Sequence, residues 1–217
     1  MLDKKSQGGF NLGRFTGPKG RLVRKFGINI FDSPKYDKLL SKKPYGPGQH
    51  GPNSKFSRMS EFGIQLKAKQ IVRFTYGLSE KQMRRYYDLA SKSPSSTLQL
   101  FYQLLEYRLD NVVYRLGFAR TRSQARQFVS HGFFSVNGIK SKTPSITLKV
   151  GDVITLSERG KRVSIILENI KSINTNTIVE WLSLDKSSNS GKVLGTPDAE
   201  KEAKALNLSL VTEYYSK

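Results

Sequence analysis

The sequence contains no cysteine, one tryptophan and only two histidines among 217 residues. Without cysteine there is no disulfide and no thiolate ligand for a metal. His50 and His131 alone supply too few ligands for a protein zinc site, so we expect no metal and no other cofactor. No stretch approaches the ~20 consecutive apolar residues that cross a bilayer, and the N-terminus lacks the apolar core of a signal peptide. These absences predict a soluble intracellular protein.

Acidic residues are also scarce. The chain holds 37 lysines and arginines against 17 aspartates and glutamates, a net charge of +20. The excess lies in residues 1–97, with 20 basic and 6 acidic side chains, and in residues 98–175, with 12 and 5, whereas residues 176–217 carry 5 and 6. A compact protein with this charge repels itself unless a polyanion screens it. Nucleic acid is the first partner to expect, and an anionic membrane surface the second.

The first fifty-odd residues are rich in glycine, proline and lysine and show weak periodicity. The stretches "RFTGPKGRLVRKFG" (14–27) and "KKPYGPGQHGPNSKFSR" (42–58) are typical of loops and short turns. A basic segment of this kind would be disordered alone and could order against a polyanion. We therefore expect the N-terminal region to be loop-rich and to bind a phosphate backbone.

Helical signals begin after this region. A helix is predicted from near Ser60 to Tyr76, with Gly77 as its terminator. The next begins at a capping box, Ser79 with Gln82. A third, over 97–116, carries one continuous apolar stripe and a possible box formed by Ser96 and Gln99. The first half of the chain is thus predicted to be mostly helical.

The stretch "ARTRSQARQFVSHGFFSVNG" (119–138) packs three arginines into its first eight residues and ends at an Asn-Gly pair. Thr121 and Gln124 indicate a helix start, and Asn-Gly between two strand-like runs predicts a type I′ hairpin. Further strands are expected in "SITLKVGDVITL" (145–156) and "RVSIILENI" (162–170). Arg122 and Arg126 lie four apart, so we expect them on one outward face, poised for phosphate.

Together these elements predict an α+β fold. A mostly helical first domain with a basic, loop-rich N-terminal region would comprise residues 1–97. Residues 98–175 would form a small α/β unit, with two helices packed on a short, mainly antiparallel sheet.

The segment "LLEYRLDNVVYRLGFARTRSQARQFVSHGFFSVNG" (104–138) closely resembles the RNA-binding domain of the S-four family of small-subunit ribosomal proteins. The stretches "GPKGRLVRKFG" (17–27), "PGQHG" (47–51), "LKAKQIVRFTYGLSEKQMRRYY" (66–87) and "EYYSK" (213–217) are similar to the same family. The resemblance covers nearly the whole chain. It implies that residues 98–175 are an RNA-binding domain inserted into the helical domain of residues 1–97, which residues 176–217 complete. Many bacterial members carry a cysteine cluster near the N-terminus, which this chain lacks.

The resemblance implies a structural constituent of the small ribosomal subunit. Such proteins bind rRNA early, nucleate assembly of the five-prime domain, lie near the channel by which messenger enters, and contribute to translational accuracy. They are not enzymes. The implied partners are small-subunit rRNA, neighbouring small-subunit ribosomal proteins and mRNA, with no membrane. The implied location is the cytoplasmic ribosome of a bacterium, and a plastid or mitochondrial ribosome fits as well.

Candidate binding residues follow from the matching stretches and from the basic helix. The expected rRNA-binding residues are Arg14, Lys19, Arg21, Arg24, Lys25, Gln49, His50, Gly51, Lys67, Lys69, Arg73, Arg84, Arg85, Arg115, Arg120, Thr121, Arg122, Arg126 and His131. Lys55 and Arg58 are expected beside the messenger. No catalytic residue is expected. His50 has no carboxylate, serine or cysteine partner in a known catalytic arrangement, and His131 is expected to cap a helix.

Two other functions remain open at this point. The same small domain is attached to RNA-modifying enzymes, which need a further catalytic domain, and to free-standing RNA-binding accessory factors. The rest of this chain shows neither a nucleotide-binding glycine loop nor paired carboxylates. The matching stretches at both ends of the chain favour the ribosomal protein.

Overall fold

The computed structural model describes residues 15–53, 59–173, 178–199 and 206–216. The candidates Arg14, Lys55 and Arg58 lie outside the described residues. The helices are α1 (Lys19–Phe26), α2 (Pro34–Lys42), α3 (Glu61–Thr75), α4 (Glu80–Ser91), α5 (Thr97–Glu106), α6 (Leu109–Arg115), α7 (Arg122–Ser130), α8 (Glu158–Lys161), α9 (Ser164–Ser172) and α10 (Leu208–Ser216). The strands are β1 (Phe134–Val136), β2 (Ile139–Ser141), β3 (Val153–Leu156), β4 (Leu182–Asp185) and β5 (Ser190–Val193). None of these helices is long and apolar enough to cross a membrane.

The N-terminal region is more ordered than its composition predicts. Helices α1 and α2 occupy much of the segment expected to be loops. Val23 and Phe26 of α1 are buried, together with Ile30, and pack with side chains of α3 that include Phe74. Gly27 ends α1 in the left-handed region, with φ of +75°. Burial of apolar side chains against α3 therefore outweighs the weak local signal.

Helices α3, α4, α5 and α10 form a core of their own. Ser79 and Gln82 make the predicted capping box at the start of α4. The box predicted for α5 is wrong: Ser96 makes no side-chain cap, and Gln99 instead bonds the carbonyl of Pro197 and the amide of Ala199. Gln99 thus holds the chain that leads to α10 against the start of α5.

The single helix predicted over 97–116 is in fact two helices, α5 and α6. Arg108 separates them with an extended backbone, at ψ of 136°. At this break the Leu109 amide donates to the Ile146 carbonyl at 2.9 Å, and the Leu148 amide donates to the Tyr107 carbonyl at 2.8 Å. The segment that contains Ile146 and Leu148 therefore satisfies backbone groups that a continuous helix would pair internally. The apolar stripe continues across the break, although the helix does not.

A second core lies between α6, α7 and α9 and an antiparallel sheet of order β2-β1-β3-β5-β4. The predicted hairpin is confirmed: Asn137 and Gly138 both have positive φ, and β1 pairs with β2. The strand predicted over 162–170 is instead helix α9, whose buried Ile166, Asn169 and Ile170 follow helical spacing. The strand predicted over 145–156 shrinks to β3, because Gly151 turns the chain at φ of +96°.

Residues beyond 175 also contribute two strands to this sheet. Strand β5 pairs with β3, and β4 pairs with β5. A methyl group at Gly191 would lie 2.4 Å from Cδ1 of Leu116, so the sheet meets α6 where only glycine leaves room. Residues 182–193 therefore belong to this sheet, and their assignment to the helical domain is wrong. The α+β class is confirmed.

Candidate RNA-binding surface

Helix α7 carries the arginine cluster and is fixed by its cap and its apolar face. The Thr121 hydroxyl accepts a hydrogen bond from the Gln124 amide at 3.3 Å, as predicted. The Gln124 side chain, however, accepts from the amide of Arg120 and so completes no reciprocal box. Ala125, Phe128 and Val129 are buried, and α7 ends at His131.

The arginines of α7 do not simply face solvent. The Arg122 side chain is 16% exposed and that of Arg126 is 25% exposed. Arg122 donates to Asp32 and to Asn111, the latter at 2.9 Å. Arg126 donates to Asp110 at 3.0 Å. The expectation that both arginines point outward is wrong, because carboxylates of the chain itself already pair with these guanidinium groups.

Asp110 has a second arginine as partner. Arg108 is fully buried and forks onto both carboxylate oxygens, at 3.1 and 3.0 Å. Burial acts to lower the pKa of Arg108, but the Asp110 carboxylate overrides it and the pKa is raised. The single carboxylate of Asp110 is thus shared by the guanidinium groups of Arg108 and Arg126.

Arg115 is likewise occupied inside the molecule. Its guanidinium forks onto the carboxylate of Glu106, with both contacts at 2.9 Å. Glu106 is fully buried, and burial acts to raise its pKa. Arg115 and further hydrogen-bond donors outweigh that effect, and the pKa of Glu106 is lowered. We conclude that Arg115 has a structural role.

Other predicted candidates also make contacts within the chain. Lys69 is buried and pairs with Glu80 at 2.9 Å. Arg73 bonds the Leu78 carbonyl and the Gln70 side chain. Arg120 donates to Asn169 at 3.0 Å. These contacts fix helices and turns in place.

The turn at residues 45–51 is organised by Arg24. Its guanidinium lies 4.8 Å from the Tyr45 ring centroid and donates to the carbonyls of Tyr45 and Gly46. A methyl group at Gly51 would lie 2.1 Å from the Gly46 carbonyl oxygen. The glycine is thus required by close approach within the turn itself. Gln49 and His50 stand exposed on this turn.

The remaining candidates are accessible to solvent. Arg21 and Lys25 are exposed on one face of α1, four residues apart, and Arg84 and Arg85 are exposed on α4. Lys67 is partly exposed on α3. These side chains are open to an external phosphate, whereas the arginines of α6 and α7 are engaged within the fold.

A second basic cluster adds four residues that the sequence reasoning did not single out to the predicted candidate His131. We call it the hairpin patch, and it comprises His131, Lys140, Lys142, Arg159 and Arg162, all exposed. A methyl group at Gly132 would lie 2.9 Å from Cε of Lys140 and 3.2 Å from Cγ of Lys142. The alternation in "IKSK", with Ser141 buried between two exposed lysines, is the signal that could have indicated it.

Helix α8 brings the arginines of the hairpin patch to the same end of α7. The Ser157 hydroxyl donates to the Gly132 carbonyl at 3.0 Å and caps α8 through the Gly160 amide. A methyl group at Gly160 would lie 2.3 Å from the Phe133 carbonyl oxygen, so α8 packs closely here. Tertiary contacts therefore bring the hairpin lysines and helix α8 next to the C-terminal end of α7.

Two family models match the chain in succession. The model described as "Ribosomal protein S4/S9 N-terminal domain" matches residues 14–106, and the "S4 domain" matches residues 108–154. The junction between them falls at the observed break between α5 and α6.

Curated relatives match over almost the full length. The chain is 42% identical to the small ribosomal subunit protein uS4 of Aquifex aeolicus over 210 residues, which cover 95% of this chain and all of the relative. It is 45% identical over 206 residues to the uS4 protein of Parabacteroides distasonis, with the same coverage. It is 42% identical over 200 residues to that of Borrelia duttonii, covering 92% of this chain and 96% of the relative.

Proposed function

Because the chain belongs to the uS4 family of small ribosomal subunit proteins, we propose that it is a structural component of the small subunit that binds rRNA through the phosphate backbone. It is not an enzyme, in keeping with these ribosomal relatives. The observation that carries the proposed contact mode is the set of cations that remain exposed once the internal pairs are formed. They include Arg21 and Lys25 on α1, Arg84 and Arg85 on α4, and the hairpin patch. A-form RNA hides its base edges in a deep groove, so contacts of this kind read shape and backbone.

Finer roles are also part of the proposal and rest on the resemblance. We propose that the protein binds early, nucleates the five-prime domain, and lies beside the channel by which messenger enters, where it contributes to accuracy. Neighbouring ribosomal proteins and mRNA are the further partners. The bacterial organisms of the relatives support a bacterial ribosome, and an organellar ribosome is the alternative location.

Titration of small-subunit rRNA against the protein at several salt concentrations tests the binding mode. With about eight phosphates contacted, log K should fall against log salt with a slope of about −6 to −7. A slope shallower than about −2 would contradict phosphate-dominated binding. Co-sedimentation with the small subunit after a high-salt wash distinguishes a stoichiometric component from an accessory factor, which would be stripped.

A double variant tests the hairpin patch directly. Lys140→Ala with Lys142→Ala should weaken rRNA binding and reduce the magnitude of the salt slope by about one per lost contact. Its thermal melt should match that of wild type, because both side chains are exposed. The matched control, Lys149→Ala with Lys171→Ala, removes equal charge from exposed positions outside the patch. Equal losses in both double variants would show only a general charge effect and refute the patch.

A further inference from the structure

The N-terminal unit, residues 15–53, meets another basic part of the molecule. The unit holds eight lysines and arginines and two acids, Asp32 and Asp37. It faces the start of α7, where Arg122 and Arg126 lie. Two basic surfaces repel each other at short range unless a counter-charge lies between them. An acid of the N-terminal unit therefore has a specific task at this junction.

Asp32 is the acid that reaches across. Its carboxylate accepts hydrogen bonds from Nη1 of Arg122 at 2.5 Å and from the Tyr114 hydroxyl at 3.0 Å. The backbone of Asp32 has φ of +51°, in the left-handed region that residues other than glycine rarely adopt. The backbone turn after Ile30 thus aims this carboxylate at a partner more than eighty residues away in the chain.

Arg122, the partner of Asp32, is also held in place by other contacts. Arg122 donates to Asn111, whose own amide group donates to the buried Glu106 at 2.8 Å. The Arg122 guanidinium also lies 4.5 Å from the ring centroid of Tyr114 and 5.2 Å from that of Tyr76. A fixed guanidinium offers an ion pair at a lower entropic cost than two mobile side chains would.

The other nearby acids have different partners. Asp110 accepts hydrogen bonds from Arg108 and Arg126. Asp37 accepts from Asn29 within the N-terminal unit. A second contact across the junction supplies no counter-charge, because Nζ of Lys19 donates to the uncharged Ser123 hydroxyl at 2.8 Å. Among the described residues of this junction, Asp32 therefore supplies the counter-charge that meets Arg122.

We propose that Asp32 is a positioning residue for RNA binding, which holds the N-terminal unit on α7 before RNA arrives. This inference rests on the proposed function. The unit carries Arg21, Lys25 and His50 towards solvent. If the unit were detached from α7 in some molecules, RNA would have to order it on binding. The apparent affinity for RNA would then equal the intrinsic affinity multiplied by the fraction of molecules in which the unit is docked.

The proposal makes a prediction whose sign is opposite to simple electrostatics. Removing an acid from a basic protein ordinarily strengthens its attraction to RNA. We expect Asp32→Asn instead to weaken rRNA binding about three- to tenfold, the range for loss of one partly exposed charged contact. Asp32→Glu keeps the charge and should recover part of the affinity. Asp88→Asn, at an exposed position of α4, is the control with the same change in charge.

Hydrogen exchange on the free, full-length protein provides the readout that needs no RNA. In Asp32→Asn the amides of α1 should exchange about three- to tenfold faster than in wild type, while those of α9 should not change. Tyr114→Phe removes only the hydroxyl that bonds Asp32, and it should shift both measurements in the same direction by less. The effects of Asp32→Asn and Tyr114→Phe should not add, because they break one contact group.

The outcomes separate the two levels of inference. Faster exchange with weaker binding, and recovery by Asp32→Glu, supports the proposal. Unchanged exchange in α1, or rRNA binding as tight as in wild type, overturns it while leaving the proposed function intact. A wild-type protein that fails to bind rRNA refutes the proposed function, and the positioning role falls with it whatever the exchange shows.

Discussion

Replacing Glu106 by glutamine tests the polar centre between α5 and α6. The carboxylate is fully buried and accepts four hydrogen bonds. Oε1 accepts from the Tyr76 hydroxyl at 2.5 Å and from Nη2 of Arg115 at 2.9 Å. Oε2 accepts from Asn111 at 2.8 Å and from Nε of Arg115 at 2.9 Å. Each oxygen therefore faces two donors.

Glutamine keeps the shape of the side chain but cannot accept at both positions. Its amide nitrogen would face two donors in either orientation, and Arg115 would lose its counter-charge. Breaking a buried pair by removing one partner costs about 3–5 kcal/mol. Arg115 is 25% exposed and can be partly rehydrated, so we expect a loss of about 2–4 kcal/mol. This is a large part of the 5–15 kcal/mol typical of a folded protein.

Urea unfolding at pH 7 measures the effect, followed by circular dichroism and by the fluorescence of Trp181. Trp181 is buried in the second core, so its signal reports on that core separately. Glu158→Gln is the control, because Glu158 pairs with Lys161 at a fully exposed site. The control should unfold with wild-type stability.

The direction of the pKa shift of Glu106 predicts how the stability lost in Glu106→Gln changes with pH. Burial alone would raise the pKa of Glu106, but Arg115 and the other donors lower it below the usual value. A group whose pKa is lowered on folding stabilises the fold above its unfolded pKa, near 4.3, and this contribution is lost as pH falls through the folded pKa. The gap between wild type and Glu106→Gln should thus be widest at neutral pH and narrow below about pH 4. A loss below about 0.5 kcal/mol at pH 7, or a gap that does not change with pH, would refute this reasoning.

Two further predictions follow from the corrected positions of the arginines and the strands. Arg122→Ala should lower the free energy of unfolding by about 1–2 kcal/mol and should also lower the rRNA affinity, because the side chain bonds Asp32 and Asn111. A melt like that of wild type would instead indicate a solvated arginine. A fragment of residues 107–195 should melt cooperatively. The fragment 98–175 should not, because it lacks β4 and β5 and leaves Ile154 and Leu116 uncovered. Cooperative melting of the shorter fragment would contradict the role of these strands.

Local signals in the sequence were sufficient wherever one residue type decides the backbone. The Asn137-Gly138 hairpin, the Ser79 cap and the stop at Gly77 follow from φ preferences and side-chain acceptors within four residues. The family resemblance was equally visible, because it consists of consecutive residues. The α+β class follows from both.

Segments whose conformation depends on distant chain were misjudged. Helix α9 is rich in β-branched residues, yet it packs on the second core with a helical period. The break at Arg108 has no glycine or proline to announce it, and it exists because the segment near Ile146 takes over its hydrogen bonds. Strands β4 and β5 join the sheet only because β3 offers them a partner edge.

The sequence alone determined that the protein is a basic, cysteine-free member of a ribosomal family and that its arginines concentrate near α7. It did not determine which of those arginines are accessible, because charge is a property of each residue whereas accessibility depends on what the fold places beside it. Asp32 is far in sequence from Glu106 and Asp110, yet together these three carboxylates pair with Arg122, Arg115, Arg108 and Arg126. Only the tertiary structure brings these carboxylates to the arginines and leaves α1, α4 and the hairpin patch facing solvent.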